Sequence, residues 1–316
     1  MKQILCLGDT CADIIIPYGA AKKGVDVPTE FSCGGATANT ASGLGKLGVN
    51  CAFLGKTGDD YFGRAMKVAL EKDAVDVEHF LLDKNLTSVM IFAVIDENND
   101  RFTFLMPREN PSHLELYDVD IPEGLLEQLS FVHTTGLMLF DEPAAGTVCR
   151  FLEKCSRQGV KVSLDLNFRI ETANRDRKYL NQAMEYANYL LGSGSEEFIP
   201  LTGITDPLNA AMSLVTDKRA VVCRMAEKGS IAFDLNGEYS CGAFPTKIID
   251  TLGAGDAFNS GFLWAISKGK PLEYANQAGC ATAALNLAKR GARNCPSEEE
   301  LLSFLASVKP RCFNVT

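Results

Sequence analysis

Seven residues near the C-terminus, Asp250-Thr251-Leu252-Gly253-Ala254-Gly255-Asp256, place a carboxylate on each side of a turn that is nearly free of side chains. Such a turn can aim several backbone N–H groups at one anion. Where it opens a helix, the helix macrodipole adds favourable positive potential. The preceding Lys247-Ile248-Ile249 predicts a strand, and the run from Ala257 to Ile266 has the spacing of a half-buried helix. Gly253, Ala254 and Gly255 are therefore the candidate cradle for a transferring phosphoryl group. Asp256, an acceptor-only carboxylate at the rim, is the candidate base for a hydroxyl attacking that group. A tight turn capped by Asp256 would use the same residues structurally. Two carboxylates bracketing the turn, with strand and helix in place, favour the anion site.

The elements that must position this turn are legible in the alternation of strand-like apolar runs with amphipathic stretches. That alternation implies βαβ units and a mainly parallel sheet. Strands are expected at 4–7, 52–55, 131–134, 161–164, 189–191 and 220–223. Helices are expected at 37–46, 61–72, 143–158, 177–188, 206–215, 256–267, 272–289 and 298–307. No Pro/Ser-rich linker or charge block divides the chain, so residues 1–316 read as one α/β domain. Two segments break the alternation. Residues 13–18 lead to 30–33, and 88–95 with 101–106 flank Glu97-Asn98-Asn99-Asp100, a hairpin turn signal. Strands inserted here, at about 13–33 and 87–108, are expected to stand off the main sheet as a small antiparallel lid. A phosphoryl donor needs such shielding from water.

Composition narrows the function. A net charge of −9 argues against nucleic acid or an anionic membrane as the main partner, while leaving room for a local phosphate site. The first residues enter a strand without an apolar signal region, and no apolar run approaches the ~18 residues of a membrane span. None of the eleven cysteines forms a Cys-x-x-Cys pair, and most sit in apolar runs, as expected of a cytoplasmic protein. His79, His113 and His133 have no partner at zinc-ligand spacing. Gly43-Leu44-Gly45-Lys46-Leu47-Gly48 spells a dinucleotide fingerprint, but it falls at a helix end instead of between strand and helix.

The segment from Asp250 to Phe258 resembles the C-terminal signature of the ribokinase-like (PfkB) carbohydrate kinases. Gly34-Gly35-Ala36-Thr37-Ala38-Asn39-Thr40-Ala41 is similar to their N-terminal signature, in the family's order and separation. Nearest are the fructokinase and 2-keto-3-deoxygluconate kinase-like members. The resemblance implies a three-layer α/β fold and an ATP-dependent sugar kinase that transfers the γ-phosphoryl to a primary hydroxyl. It also implies Mg²⁺ with the nucleotide and a homodimer formed through the lid. By the same resemblance, Asp13, Gly34, Gly35 and Asn39 contact the sugar. Arg169, in Asp165-Leu166-Asn167-Phe168-Arg169, and Arg108 after the lid hairpin would face phosphate or a substrate carboxylate. Arg224, Glu227 and Gly229 match the Lys-x-Gly-x-x-Gly turn beside the nucleotide, with Arg224 in place of Lys and Ala226 in place of Gly. Thr251, Gly253, Gly255 and Asn286 complete the nucleotide contacts. Glu197 would organise magnesium-bound water, and Asp250 with nearby carbonyls would hold a monovalent cation such as K⁺. One departure stands out: Gly194 replaces the usual Asn before Glu197, leaving Ser193 or Ser195 as substitutes. Rival acceptors are a nucleoside or a sugar phosphate, and a different class of rival is a catalytically silent sugar-binding regulator.

Overall fold

The structure is a computed structural model that describes residues 3–16, 29–95, 101–106, 111–167 and 175–313. Strands β1 (Gln3–Leu7), β4 (Cys51–Gly58), β5 (Phe80–Asp83), β8 (Leu129–Thr135), β9 (Lys161–Asp165), β10 (Tyr189–Ser193), β11 (Ala220–Arg224), β12 (Ser230–Asp234) and β13 (Gly237–Cys241) build the main sheet. Its order is β13-β12-β11-β10-β9-β8-β1-β4-β5. The seven strands from β11 to β5 pair in parallel, and the hairpin β12–β13 extends the sheet antiparallel. The six strands expected from the alternation are present; β5 and the β12–β13 hairpin extend the sheet beyond them.

Helices cover both faces because the parallel strands are apolar on both sides. One face is packed by α3 (Ala144–Arg157) and α4 (Lys178–Tyr186), with the short helices α5 (Ile199–Thr202) and α6 (Pro207–Met212). The other is packed by α1 (Ala36–Lys46), α2 (Tyr61–Lys72), α7 (Ala254–Ser267), α8 (Leu272–Leu287) and α9 (Glu298–Ser307). The strands alternate between the two cores: in β1, Leu5 and Leu7 join the first, while Ile4 and Cys6 join the second. Each fully buried side chain of this size contributes roughly 1.5–3 kcal/mol. Gly43 and Gly45 lie inside α1, where an added Cβ would collide with Ser260 of α7 and with the Asp73 carbonyl. The apparent dinucleotide fingerprint is thus a close-packing device.

A second sheet, ordered β3-β2-β6-β7, combines β2 (Cys11–Ile16), β3 (Glu30–Gly34), β6 (Met90–Ile95) and β7 (Arg101–Met106). Both chain-adjacent pairs are antiparallel, and the β2–β6 pair that joins them is parallel. It leaves the main sheet directly from the end of β1.

One expected strand is absent. Residues 247–249 are not paired in any sheet: Ile248 and Ile249 are 60% and 57% exposed, and the Ile249 N–H donates to Leu287 O (2.8 Å) at the end of α8. The triplet follows the edge strand β13, and its Ile248 borders a cleft instead of entering the core. Asp250 consequently sits in a loop, not at a strand end.

Candidate functional site

Asp9, Asp165, Ser193 and Arg224 stand at or just beyond the carboxyl ends of β1, β9, β10 and β11, around a cleft of about 880 Å³. Open parallel sheets place their sites at this edge, where the chain order reverses; here β4 and β8 depart to opposite sides of β1. One wall of the cleft is the second sheet, represented by Cys11, Asp13 and Ile91. The other runs from the turn at 251–256 to Glu227, Gly229, Ala283 and Ala284.

The turn has the expected form, with its glycines in different roles. Gly253 is the N-cap of α7 with φ 72, and an added Cβ would lie 2.6 Å from Ala292 O. Gly255 is not left-handed; its Cβ position lies 3.0 Å from the Arg224 Nη1. The Ala254 N–H bonds back to Thr251 O (3.4 Å) and the Ala257 N–H to Gly253 O (2.9 Å). Between these two, the N–H groups of Gly255 and Asp256 lie at the positive end of the helix. Gly253→Val is expected to cost about 1–3 kcal/mol of stability from backbone strain alone, and to abolish anion binding at the turn. Thermal unfolding together with ATP titration checks this. A variant of native stability and native ATP affinity would show that the turn tolerates a side chain and is no cradle.

Asp256 meets the N-terminal signature directly. Asn39, buried in the second turn of α1, donates from Nδ2 to Asp256 Oδ2 (2.8 Å). Asn39 therefore caps no helix. The cap of α1 is Asp9, whose carboxylate accepts from Ala36 N (2.9 Å), Thr37 N (3.0 Å) and the Thr37 hydroxyl (2.8 Å). Asp9 is needed because Gly35, the N-cap, has no side chain to offer. Gly35 adopts φ 97, and a Cβ there would press on Thr10 Cα and Asp9 O. Gly34 is equally confined, since its Cβ would strike the Asp13 carboxylate. Asp13 is itself buried, opposite Ser32 and Ile91 in the second sheet.

Burial raises the Asp256 pKa to about 7; the Asn39 hydrogen bond opposes this, the charges of Asp165 and Asp9 add to it, and Arg224 opposes it. Glu197 is also pushed up to about 7, by burial and then by Asp165, despite Arg224 and the Ser193 N–H that donates to its Oε2 (2.6 Å). Gly194 is explained by packing: a Cβ there would lie 2.7 Å from Met225 Sδ and 2.9 Å from Pro207 Cβ, so an Asn has no room. Of the two substitutes, Ser193 lines the cleft and Ser195 is exposed outside it.

Arg224 lines the cleft, yet its fork is directed beneath the turn. It pairs with Asp165 through Nη2–Oδ1 (2.6 Å) and Nη1–Oδ2 (3.0 Å), and Nη1 also donates to Gly255 O (3.3 Å) and Asn259 Oδ1 (3.2 Å). Burial works against its charge, but Asp165 and Glu197 more than offset this and raise its pKa. Glu227 and Gly229 border the cleft as expected, and Ala226 holds φ 49, a conformation that accounts for the Gly usual at that position.

One expectation changes. Asn286 is fully buried and does not face the cleft: its Nδ2 donates to Leu252 O (3.0 Å) and its Oδ1 accepts from Asn294 N (2.9 Å). It frames the turn. Asp250 braces the same region, accepting from Leu252 N (3.0 Å) and Gly291 N (2.8 Å). Arg108 and Arg169 lie outside the described residues. Three participants escaped the sequence reading: Asp9, Asn259 and Arg293. Asp9 had a visible signal, an acid just past β1 and ahead of a helix start with no capping side chain. Asn259 and Arg293 had none, because their partners are 94 and 254 residues away. Among the described residues no group of three or more His, Cys, Asp or Glu converges as a ready-made metal site.

The nine-stranded, helix-covered sheet with a small sheet at its carboxyl edge is the ribokinase-like α/β fold. It is shared with aminoimidazole riboside kinase from Salmonella enterica (TM-score 0.79, 23% identity, covering 96% of this chain and 99% of that one). It is also shared with a fructokinase double mutant from Vibrio cholerae O395 in fructose-, ADP- and potassium-bound form (TM-score 0.81, 25% identity, 96% and 98% covered). Among curated proteins the chain is similar to the 5-dehydro-2-deoxygluconokinase of Geobacillus thermodenitrificans, 29% identical over 286 residues that cover 87% of this chain and 85% of that protein. Residues 1–300 match the family model of the pfkB family carbohydrate kinases. The chain belongs to that family and is a phosphotransferase acting on a sugar hydroxyl.

Proposed function

We propose that this kinase transfers the γ-phosphoryl of ATP to a primary hydroxyl of a small sugar acid of the ketodeoxygluconate type. The observation that carries the reading is the Asn39–Asp256 contact, which sets a half-buried carboxylate where the sugar-facing wall meets the helix N-terminus. In the proposed step Asp256 takes the proton of the acceptor hydroxyl, the hydroxyl oxygen bonds to the γ-phosphorus, and the bond from that phosphorus to the β-phosphate oxygen breaks, releasing ADP. The first-turn N–H groups of α7 stabilise the charge on the moving phosphoryl oxygens, at up to roughly 3–4 kcal/mol per donor. Asp13 holds sugar hydroxyls, while Thr251, Glu227 and Gly229 border the nucleotide.

Mg²⁺, when bound with ATP, neutralises charge across the donor phosphates. Glu197 fits the role of holding its water: it is a buried carboxyl lining the cleft, and Ser193 N fixes one of its oxygens. Asp250 and the Leu252 carbonyl keep unused lone pairs for a monovalent cation. Residues 1–316 act as one domain in this reading, with the second sheet covering the sugar and offering the surface for a homodimer. A cytoplasmic setting agrees with eleven unpaired cysteines. Among the described residues no helix is long and apolar enough to cross a membrane.

The name of the Geobacillus relative supports a sugar acid. Arg108 and Arg169 are the guanidinium groups we assign to its carboxylate, which cannot be buried unpaired. The fructose-bound fructokinase supports a neutral ketose as the second reading. ADP release across 5-dehydro-2-deoxygluconate, 2-keto-3-deoxygluconate, fructose and nucleosides tests both. The sugar acids should lead by kcat/KM; turnover of fructose alone would leave the second reading in place, and preference for a nucleoside would end both. On the preferred acceptor, Asp13→Ala should raise the sugar KM by about 10- to 100-fold with little change for ATP, matching the loss of charge-assisted hydrogen bonds. Lost ATP affinity with unchanged sugar affinity would misplace Asp13.

A further inference from the structure

We infer that Arg293 is a positioning residue for phosphoryl transfer, holding the Asn39 amide so that its N–H end faces Asp256; this rests on the role proposed above for Asp256. An amide has a donor end and an acceptor end. Arg293 Nε donates to Asn39 Oδ1 (2.9 Å), and Asn39 Nδ2 donates to Asp256 Oδ2 (2.8 Å). A guanidinium can only donate and an ionised carboxylate can only accept, so the two neighbours admit one orientation of the amide between them. Rotated by half a turn, Asn39 would set oxygen against carboxylate and NH₂ against guanidinium. Without Arg293, among the described residues only Asp256 itself would oppose that rotation.

Arg293 is fixed in turn. Its Nη2 donates to Gly34 O (2.9 Å) at the end of β3. Its Nη1 is buried and, among the described residues, has no partner. The loop bearing Arg293 is also tied to the turn bearing Asp256, because Gly291 N donates to Asp250 and Asn294 N to Asn286, whose amide holds Leu252 O. Turn, loop, Arg293, Asn39 and Asp256 therefore form a closed ring of contacts, with the sugar-side strand β3 attached through Gly34.

The charged groups that face Asp256 are Asp9 beyond β1, Asp165 at the end of β9 and Arg224 at the end of β11, with Asn39 from α1 supplying the hydrogen bond. Two carboxylates against one guanidinium make the Asn39 N–H important for keeping the base ionised. Its loss raises the Asp256 pKa and moves the acid limb of the rate profile upward.

The test uses Arg293→Met, Arg293→Lys, Asn39→Ala and the double variant Asn39→Ala/Arg293→Met, assayed from about pH 5.5 to 9 on the acceptor that the wild type prefers. Arg293→Met is expected to lower kcat/KM for the sugar by about 10- to 100-fold, with the ATP KM within about twofold and the acid limb displaced upward by about 0.5–1 pH unit. The double variant should be no worse than Asn39→Ala alone, since Arg293 acts through Asn39. If Arg293→Met does not fold, Arg293→Lys carries the test. It keeps the charge but loses the fork, and should show the same displaced limb at near-native stability. An unmoved limb, or losses that multiply in the double variant, would overturn the inference and leave Arg293 a packing residue. A wild type inactive on every acceptor would defeat the proposed function and this inference with it, whereas an active wild type with indifferent Arg293 variants defeats the inference alone.

Discussion

Asp256→Asn is expected to lower kcat by about 10²- to 10⁴-fold while leaving ATP affinity within a few-fold of wild type. The substitution is isosteric, and its amide oxygen can still accept from Asn39. The N–H groups of the first turn of α7 do not depend on the side chain, so the nucleotide keeps its anchor. What disappears is the group able to take the hydroxyl proton. The pH profile sharpens the point. A base works when deprotonated, so activity rises with pH through its pKa and levels off above it. Asp256 is raised to about 7, mainly by burial, and Glu197 is raised to about 7 by burial and Asp165. The acid limb of wild-type kcat/KM should therefore fall near neutrality and contain two titrations. In Asp256→Asn one is removed, and the residual rate should follow a shallower limb. Near-wild-type turnover, or a limb of unchanged steepness, would remove Asp256 from the proton transfer.

How far the sequence led depended on whether the physics was local. The Gly253–Asp256 turn, the helix behind it and the parallel strands are set by short-range pattern, and the helix begins only two residues before the predicted start. The second sheet was legible from its strands, although not the parallel β2–β6 pairing, because register between distant strands leaves no mark in either one. Residues 247–249 misled for a related reason. A short run with two isoleucines reads as a strand whether it enters a core or borders a cleft, and the edge position of β13 decides. Asn39 and Asp256 were each marked, by separate signatures, but their contact was not. It spans 217 residues and exists because α1 and α7 pack together through Gly43 and Ser260. Asn286 went the other way. It sits among small residues that do line the cleft, yet its own position on α8 turns the amide toward Leu252 and Asn294.

The Asp165–Arg224 pair separates what supports the fold from what supports the reaction. Its side chains are 2% and 16% exposed, and the carboxylate also accepts from Asn259 Nδ2 (2.6 Å). Removing one partner of such a pair strands the other charge, so Asp165→Ala should destabilise the protein by about 3–5 kcal/mol, lowering Tm by roughly 5–15 °C. Glu197, 3.6 Å from Arg224, can compensate only in part, since it is itself held by Ser193. The double variant Asp165→Leu/Arg224→Met removes both charges and fills the space with apolar atoms of similar size. Because taking two charges out of water consumes much of what their attraction returns, this variant should recover most of the lost Tm. Turnover should not recover with it. Arg224 also donates to Gly255 O from beneath the turn, and it is the cation facing Asp256 across the cleft edge. Without it the first turn of α7 loses its support, and Asp256 loses a charge that favours the ionised base. The expected result is a stable protein with kcat reduced by about 10²-fold or more, in line with the loss of one preorganised electrostatic contact. Recovery of turnover together with Tm would show that the pair only holds β9 to β11, and that the turn needs no support from below.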